Sequence, residues 1–550
     1  MSVAILTIAF IVFLVVGYWT YGRWVARHFD LSATRETPSH TLQDGVDFVP
    51  THPFYLFGQH FSAIAAAGPI AGPIIAAVTF GWLPGLLWIA FGVIFIGAVH
   101  DFSSLILSVK NGACSIAEMA KNNISRKAGL ALMAFILITL VYIIVAFGDV
   151  TASSFVFTSE ELQAVHTNFH PGGAVAAASV YYLCLCFVLG LVQRYLRPPL
   201  WLVSIIFPVL VVFTSWAGTM TSQYFLLDMK TWAVFIALYC ALGSMLPTWM
   251  LLQPRGFLGG FVLYFALAIG LIGLLFGGHT IQLPAIKEGV SWFAGTTGMF
   301  PFLFVTIACG ACSGFHGLVC SGTTSKQIDK ETHTHTIGYG AMLSEALVAF
   351  IALAVVMVQL PEGIKGMKPG TIYGKGIGDF LTMMVGEKYR LEAMTFGAMA
   401  FSTFVFDTID VATRLGRYLI QELTGLKGWL GSFVGTWAIV VPAGLILYFS
   451  DAGSWAKFWG LFGAANQLLA ALTLLTITLW LRESKRPIYF TLLPMFFVLS
   501  MTLLALVGLL VDGVQKTQGF DLSLVITLTS VSLILLAGVV GFESLKRARA

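Results

Sequence analysis

Long apolar runs recur along almost the whole chain, and they are the feature that most constrains its fold. Runs of roughly 17 to 25 residues are long enough to cross a lipid bilayer as helices. The chain has 550 residues, of which 58% are hydrophobic and 10% charged, whereas a soluble domain carries about 25% charged residues. The runs are too long and too continuously apolar for the strands of a membrane barrel. The sequence therefore predicts an all-α polytopic membrane protein.

The runs predict about fifteen transmembrane helices. They lie near residues 2–20, 61–79, 82–104, 129–147, 174–193, 199–217, 231–251, 257–276, 299–320, 337–360, 391–411, 430–449, 455–480, 488–511 and 523–542. We expect the first run to remain as a helix, because it lacks the positive residues that open a secretory signal.

The positions of Lys and Arg predict the orientation of the chain. Alternate connections hold roughly two thirds of the 30 Lys and Arg residues, and cytoplasmic loops carry such an excess. Arg255, Arg414 and Arg417 are counted among these loop cations. The distribution predicts a multi-pass protein of a bacterial inner (plasma) membrane, with its N-terminus outside and its C-terminus in the cytoplasm.

Two apolar segments are interrupted by glycine and proline, GPIAGP in the first and CGACSG in the second. The interrupting residues are Gly68, Pro69, Gly72 and Pro73 in the first segment, and Gly310, Gly314 and Gly317 in the second. Paired breaks of this kind point to the substrate site of a transporter, because unwound backbone in a membrane needs protein or water around it. The predicted orientation makes the segments run in opposite directions, as inverted repeats require. Close helix packing of the GxxxG kind is the alternative.

Free N–H groups at a helix start within a break attract an anionic group. We therefore expect an anionic or zwitterionic substrate that carries a carboxylate. Uncharged polar residues also occur in a late span, where Asn466 and Gln467 are equally well interpreted as site residues or as interhelical hydrogen-bonding groups.

Ionisable residues in or beside the spans are candidates for coupling to a proton or a sodium ion, because burying them in a membrane is costly. They are Asp101, Glu345, Asp407 and Asp410. Two of them have specific alternatives. Asp410 can pair with Arg414 one helical turn later, and Asp101 can lie among the lipid headgroups.

The sequence lacks the motifs that would indicate several other functional classes. The chain contains no GxxxxGK[ST] loop of an ATP-driven pump and no HExxH motif of a metalloprotease. Most of the seven cysteines lie within predicted spans, which argues against a disulfide framework. Cys309 and Cys312 form one C-x-x-C without a second pair, so we expect helix packing there. We expect no enzyme activity, no metal, no cofactor and no nucleic-acid partner.

Several long motifs resemble the carbon starvation protein A (CstA) family, and they cover nearly the whole chain in the same order. The matching runs are Phe57 to Pro73, Phe300 to His316 with Ser321 to Thr324, Gly338 to Glu345, Asp410 to Leu423, and Phe462 to Ala470. The resemblance implies a secondary transporter that imports short peptides during nutrient starvation, or alternatively a proton-coupled pyruvate symporter. It also implies an inverted-repeat core of the amino acid–polyamine–organocation (APC, LeuT-like) type with broken helices.

The same resemblance implies a substrate site and a division of the chain. The implied site residues are His60, Ser62, Gly68, Pro69 and Gly72 on one side, and Gly310, Ser313, Gly314 and His316 on the other. The division places a transmembrane core at residues 1–385 and a five-helix region at residues 386–550. Longer members expand the region Pro361–Arg390, which we expect to be a loop here.

One alternative of another class is a membrane nutrient sensor that moves no solute. A sensor normally carries a soluble output domain, and the chain has no polar stretch long enough for one. The bilayer and a small-molecule solute are the expected partners, and the oligomeric state stays open.

Overall fold

The computed structural model describes residues 2–44, 47–65, 67–156, 169–247, 249–293, 296, 298–450, 455–517, 519 and 521–549. Within these residues the chain is helical, with two isolated bridges and no strand. The predicted all-α class is therefore confirmed.

Helices are numbered in chain order. They are α1 (Val3–Arg27), α2 (Pro38–Thr41), α3 (Pro53–Ile64), α4 (Gly68–Phe80), α5 (Trp82–Lys110), α6 (Ile116–Asn123), α7 (Arg126–Phe155), α8 (Pro171–Tyr195), α9 (Leu200–Phe225), α10 (Met229–Met245), α11 (Leu252–Phe276), α12 (Met299–Thr306), α13 (Gly314–Val319), α14 (His335–Met357), α15 (Pro369–Val385), α16 (Arg390–Thr424), α17 (Gly428–Phe449), α18 (Trp455–Glu483), α19 (Tyr489–Lys516) and α20 (Leu522–Arg549). The turns of other helical types within α1, α5, α9 and α14 are joined to those helices.

Eleven helices of the described part are long and apolar enough to cross a membrane, or up to 12 if the bent pair α3 and α4 is one span. Each predicted run overlaps a helix or a helix pair. Helix α10 has only 17 residues, and the run of α12 and α13 is broken into two short helices. The total of about fifteen spans stays a prediction.

Large apolar side chains on the outward faces of the helices fit a lipid environment. Ile5 on α1 is 66% exposed, Val209 on α9 is 65% exposed and Leu535 on α20 is 64% exposed. Many other large apolar side chains are exposed in the same way, whereas soluble monomers rarely expose extended apolar surface. The chain is therefore a multi-pass membrane protein.

Contacts between helices divide the chain into two compact units. The first unit comprises Met1–Thr7, Leu140–Leu283 and Ile351–Phe458. The second unit comprises Ile8–Thr139, Pro284–Phe350 and Trp459–Ala550. Each unit is thus assembled from distant parts of the sequence, and the predicted division near residue 385 stays a prediction.

The expectation of a loop over Pro361–Arg390 is wrong, because this region contains α15. Its glycines and charges lower its apolar content below that of the candidate spans, and its glycines let it lie close to α16. A Cβ on Gly374 would come within 2.8 Å of the Ala398 Cβ, and one on Gly378 would come within 2.6 Å of the Met394 Cα. Small residues spaced in this way permit close helix packing within a membrane.

Candidate functional site

The first interrupted segment forms a broken helix at the predicted place. Helix α3 ends at Ile64, and α4 starts at Gly68 with a bend of 44° between the two helices. Pro69 lies in the first turn of α4, where its missing N–H leaves no helical hydrogen bond unmade. Ala66 lies outside the described residues. Gly68, Pro69 and Gly72 are all buried.

The second interrupted segment is also broken, between the end of α12 at Thr306 and the start of α13 at Gly314. Two indole groups satisfy carbonyl oxygens at this break. Trp88 Nε1 donates to the Ile307 oxygen at 3.0 Å, and Trp459 Nε1 donates to the Thr306 oxygen at 3.1 Å. Unwound backbone inside a membrane protein requires such partners.

Asn466 and Gln467 on α18 hold the same break. The Asn466 Oδ1 accepts a hydrogen bond from the Phe315 N–H at 2.9 Å, and its Nδ2 donates to Ser313 Oγ at 3.0 Å. The Gln467 Nε2 donates to the Phe304 oxygen at 2.9 Å. Both amides therefore bond across helices, while a substrate-binding role for Ser313 stays a prediction.

The two broken segments contact each other within the second unit. A Cβ on Gly72 would come within 2.6 Å of the Thr306 carbonyl oxygen. A Cβ on Gly310 would lie 3.7 Å from the Pro69 Cα and 2.6 Å from the Ala349 Cβ. Gly72 is required because the segments approach too closely for a side chain.

Two predicted site residues have other surroundings. A Cβ on Gly314 would meet the Ala470 nitrogen at 2.5 Å and the Leu469 Cβ at 2.6 Å, which favours a packing role against α18. Ser62 Oγ donates to the Gln59 oxygen of its own helix at 3.2 Å. Neither contact brings these residues to the facing segment, and their substrate roles stay predictions.

Five ionisable side chains of the second unit form what we call the histidine–carboxylate cluster. Its members are His60 on α3, His100 and Asp101 on α5, His316 on α13 and Glu345 on α14, and each is at most 1% exposed. Asp101 connects two imidazoles, with Oδ1 at 2.7 Å from His100 Nδ1 and Oδ2 at 2.9 Å from His316 Nδ1. The opposite nitrogen of His316, Nε2, lies 3.2 Å from Glu345 Oε2.

His60 lies at the edge of this cluster. Its Nδ1 is 2.9 Å from Thr324 Oγ1, and its Nε2 is 3.9 Å from Cys320 Sγ. It also interacts electrostatically with Asp101 and His316. The structure thus brings together His60, Asp101, His316 and Glu345, which the sequence placed in separate spans.

The surroundings of Asp101 correct one alternative and reveal a residue that the sequence analysis missed. Asp101 is fully buried, so it does not lie among lipid headgroups. His100 was not predicted as a site residue, although its place beside Asp101 was the available signal. A π-helical turn at Val93–Gly97 precedes both residues, and such turns often occur at functional sites.

A second buried group, the arginine–aspartate cluster, lies in the first unit. Arg255 on α11 places Nε at 2.8 Å from Asp407 Oδ1 and contacts Asp410 through Nη1. Tyr239 on α10 donates to Asp410 Oδ2 at 2.8 Å. The guanidinium is fully buried, so these contacts join α10, α11 and α16 around one ion-paired centre.

Three positive residues counted as loop cations are buried in helices instead. Arg255 is fully buried, and Arg414 and Arg417 are only 6% and 7% exposed. The interpretation that Asp410 pairs with Arg414 is replaced by its contact with Arg255. Arg414 Nη2 donates to the Gly243 oxygen at 2.7 Å. The sequence misplaced these cations because their partners lie far away along the chain.

No group of three or more His, Cys, Asp and Glu side chains in the described part of the chain is arranged to hold a metal ion. The histidine–carboxylate cluster is accordingly described by hydrogen bonds and ion pairs. Imidazole and carboxylate side chains are groups that can bind and release protons.

Broken apolar helices that meet beside buried ionisable groups define a polytopic membrane protein of the kind to which secondary transporters belong. The chain belongs to the family described as carbon starvation protein CstA, whose model matches residues 1–374 and 364–505. This match confirms the resemblance found in the sequence motifs.

Similar proteins of known name are transporters. The peptide transporter CstA of Campylobacter jejuni is 30% identical, over 94% of this chain and 81% of its own length. The peptide transporter CstA of Bacillus subtilis is 32% identical, over 90% of this chain and 89% of its own length. The pyruvate/proton symporter BtsT of Escherichia coli is 29% identical, over 92% of this chain and 81% of its own length.

Among solved structures, a manganese transporter of Eremococcus coleocola aligns over 94% of this chain and all of its own, at 14% identity and a TM-score of 0.46. A similarity of this size supports no conclusion about fold or substrate.

Proposed function

We propose that this chain is a secondary active transporter of the inner membrane that imports short peptides during nutrient starvation, driven by the proton gradient. The observation that carries the proposal is the contact between the broken segments beside the histidine–carboxylate cluster. Gly72 of one segment lies against Thr306 of the other, and His316 follows the second break. Breaks of this kind form solute sites in secondary transporters.

The proposed architecture has about fifteen spans and an APC/LeuT-like inverted-repeat core. The N-terminus lies outside, and the C-terminus lies in the cytoplasm. Burial of Arg255, Arg414 and Arg417 removes them from the loops, but the remaining Lys and Arg residues still support this orientation.

A proton is favoured over sodium as the coupling ion by the composition of the cluster. Imidazole is the side chain whose charge changes most readily near neutral pH. Three imidazoles and two carboxylates share the cluster, and His316 contacts a carboxylate through each ring nitrogen. Proton relays in membrane proteins are built from such groups.

The proposed solute site lies at the break before α4, beside the contact between the segments. The start of α4 at Gly68 and Pro69 presents the positive end of a helix dipole, which attracts a carboxylate. His60 is buried on the preceding helix. A peptide carries the carboxylate that this site would bind.

Pyruvate is a second candidate substrate, favoured by the similarity to a named pyruvate/proton symporter. It carries the same carboxylate as a peptide without the amino terminus. The two substrates would therefore share the positive end of α4 and differ in the rest of the pocket.

Uptake by purified protein in liposomes tests the proposal. Radiolabelled dipeptide and pyruvate would be offered under an imposed pH gradient, under an imposed sodium gradient and without either. We expect accumulation driven by the pH gradient for the dipeptide, or for pyruvate if the second candidate is right. Failure of any gradient to drive accumulation of either solute would contradict transport as proposed.

A further inference from the structure

Asp101 fixes which nitrogen of His316 can exchange a proton. Both oxygens of this buried carboxylate face imidazole Nδ1 atoms, from His100 at 2.7 Å and from His316 at 2.9 Å. An ionised carboxylate only accepts hydrogen bonds, so both Nδ1 atoms carry a hydrogen and donate it. The exchangeable position of His316 is therefore Nε2.

The Nε2 atom of His316 lies 3.2 Å from Glu345 Oε2, both side chains are buried, and neither oxygen of Glu345 has a hydrogen-bond partner among the described residues. Without a proton between them, a nitrogen lone pair would face a carboxylate oxygen at this distance. With a proton, the contact is attractive, whether the hydrogen is bonded to nitrogen or to oxygen. We infer that the proton-binding site of this protein is the pair His316 Nε2 and Glu345 Oε2, which holds one proton.

The groups around this pair favour the same assignment. The groups that interact electrostatically with this pair or with Asp101 are His60, His100, Cys309, Cys312 and Cys320. They belong to the surrounding helices and to the interrupted segment that contains His316. This group contains no Lys or Arg. Loss of the proton therefore places a second negative charge at Glu345 beside that of Asp101, and the two charges repel.

The proton also connects two helices across the second break. His316 lies at the start of α13, directly after the break. Glu345 precedes Ala349 by one turn of α14, and Ala349 lies against Gly310 within the break. A bound proton thus fastens α13 to α14, and its release weakens that attachment. This is how proton binding would control the shape of the proposed solute site, and the inference rests on the proposed function to that extent.

The variant Glu345→Gln tests the assignment in transport. Its amide N–H donates to His316 Nε2 and so imitates the protonated pair permanently. In liposomes we expect the variant to exchange labelled for unlabelled solute at equilibrium, while accumulation under a pH gradient falls to the equilibrium level. The double variant Glu345→Gln with His316→Gln should lose no more accumulation than either single variant, because the two residues together hold a single proton.

A matched control is Glu331→Gln, which changes another buried carboxylate that is outside the cluster and paired with Arg35 and Lys110. We expect it to keep accumulation driven by the pH gradient. Gradient-driven accumulation by Glu345→Gln, or an equal loss in the control, would overturn the assignment.

A substrate-free measurement separates this inference from the proposed function. The protein would be labelled with nitrogen-15 histidine, and the Nε2 resonance of His316 would be assigned by its absence from the spectrum of His316→Gln. We expect this resonance to shift with pH in the wild type and to stay fixed in Glu345→Gln. That result would uphold the proton site even if neither dipeptide nor pyruvate were transported. A wild-type resonance that does not move with pH would overturn it.

Discussion

Gly72 of α4 faces the carbonyl oxygen of Thr306, the last residue of α12, and the space between them admits no side chain. The two residues are far apart in the sequence and belong to the two interrupted segments. Their contact joins the breaks into one structure, so a change in the spacing of either segment is transmitted to the other.

Replacing Gly72 with leucine is expected to abolish uptake, because the side chain would force the broken segments apart. The measurement is initial uptake of labelled solute, normalised to protein recovered as a single species in detergent. Gly538→Leu is the matched control, since a Cβ at Gly538 would meet nothing within 4 Å. Uptake by Gly72→Leu equal to that of the control would show that the contact is dispensable.

Replacing Arg255 with leucine is expected to destabilise the protein strongly. Asp407 and Asp410 would remain buried without their counter-charge, and loss of one partner of a buried ion pair costs about 3–5 kcal/mol. Unfolding by denaturant in mixed micelles measures the change, with the exposed Arg482→Leu as control. A change in Arg255→Leu no larger than in the control would contradict the arginine–aspartate cluster as a stabilising centre.

Replacing Asn466 with alanine is expected to weaken the second break. The Phe315 N–H and the Ser313 hydroxyl would lose their partner, and a buried polar group left unpaired costs about 1–3 kcal/mol. Asn466→Asp is the informative comparison, because it keeps the acceptor for Phe315 and removes the donor for Ser313. Equal stability of the alanine variant and the wild type would argue against this role.

The thiol of Cys114 tests the predicted orientation and a pKa together. Burial, with a smaller contribution from Glu118, raises the pKa of this thiol to about 11. Because the thiolate is the reactive form, alkylation should be slow at neutral pH and accelerate about tenfold per pH unit below that pKa. In a background without the exposed Cys184, a membrane-impermeant maleimide should label Cys114 from the cytoplasmic side. Labelling only from outside would reverse the orientation, and a rate that stops rising near the ordinary thiol pKa of about 9 would contradict the raised pKa.

Features that depend on neighbouring residues alone could be predicted from the sequence. The apolar runs predicted the helices because a span must be apolar along its whole length. Glycine and proline located both breaks, since neither residue supports a regular helix interior. Asp101 and Glu345 were recognised because an ionisable residue is conspicuous among apolar neighbours.

The sequence alone did not predict which side chains pair across long distances along the chain. Arg255 begins an apolar run and resembles a loop cation until Asp407 and Asp410, more than a hundred residues later, are placed against it. His100 gained its role from His316 on another helix, through the carboxylate of Asp101. Helix α15 was missed because its burial depends on glycine contacts with α16 rather than on its own apolar content.

The most direct test of the account is whether solute carries protons with it. Dipeptide, or pyruvate, would be added to liposomes that contain the purified protein in a weakly buffered medium, and the external pH would be recorded. We predict that the solute makes the wild-type medium more alkaline, and that Glu345→Gln, which exchanges solute without moving protons, leaves the pH unchanged. Solute entry into wild-type liposomes without any change in external pH would contradict proton-coupled transport through the histidine–carboxylate cluster.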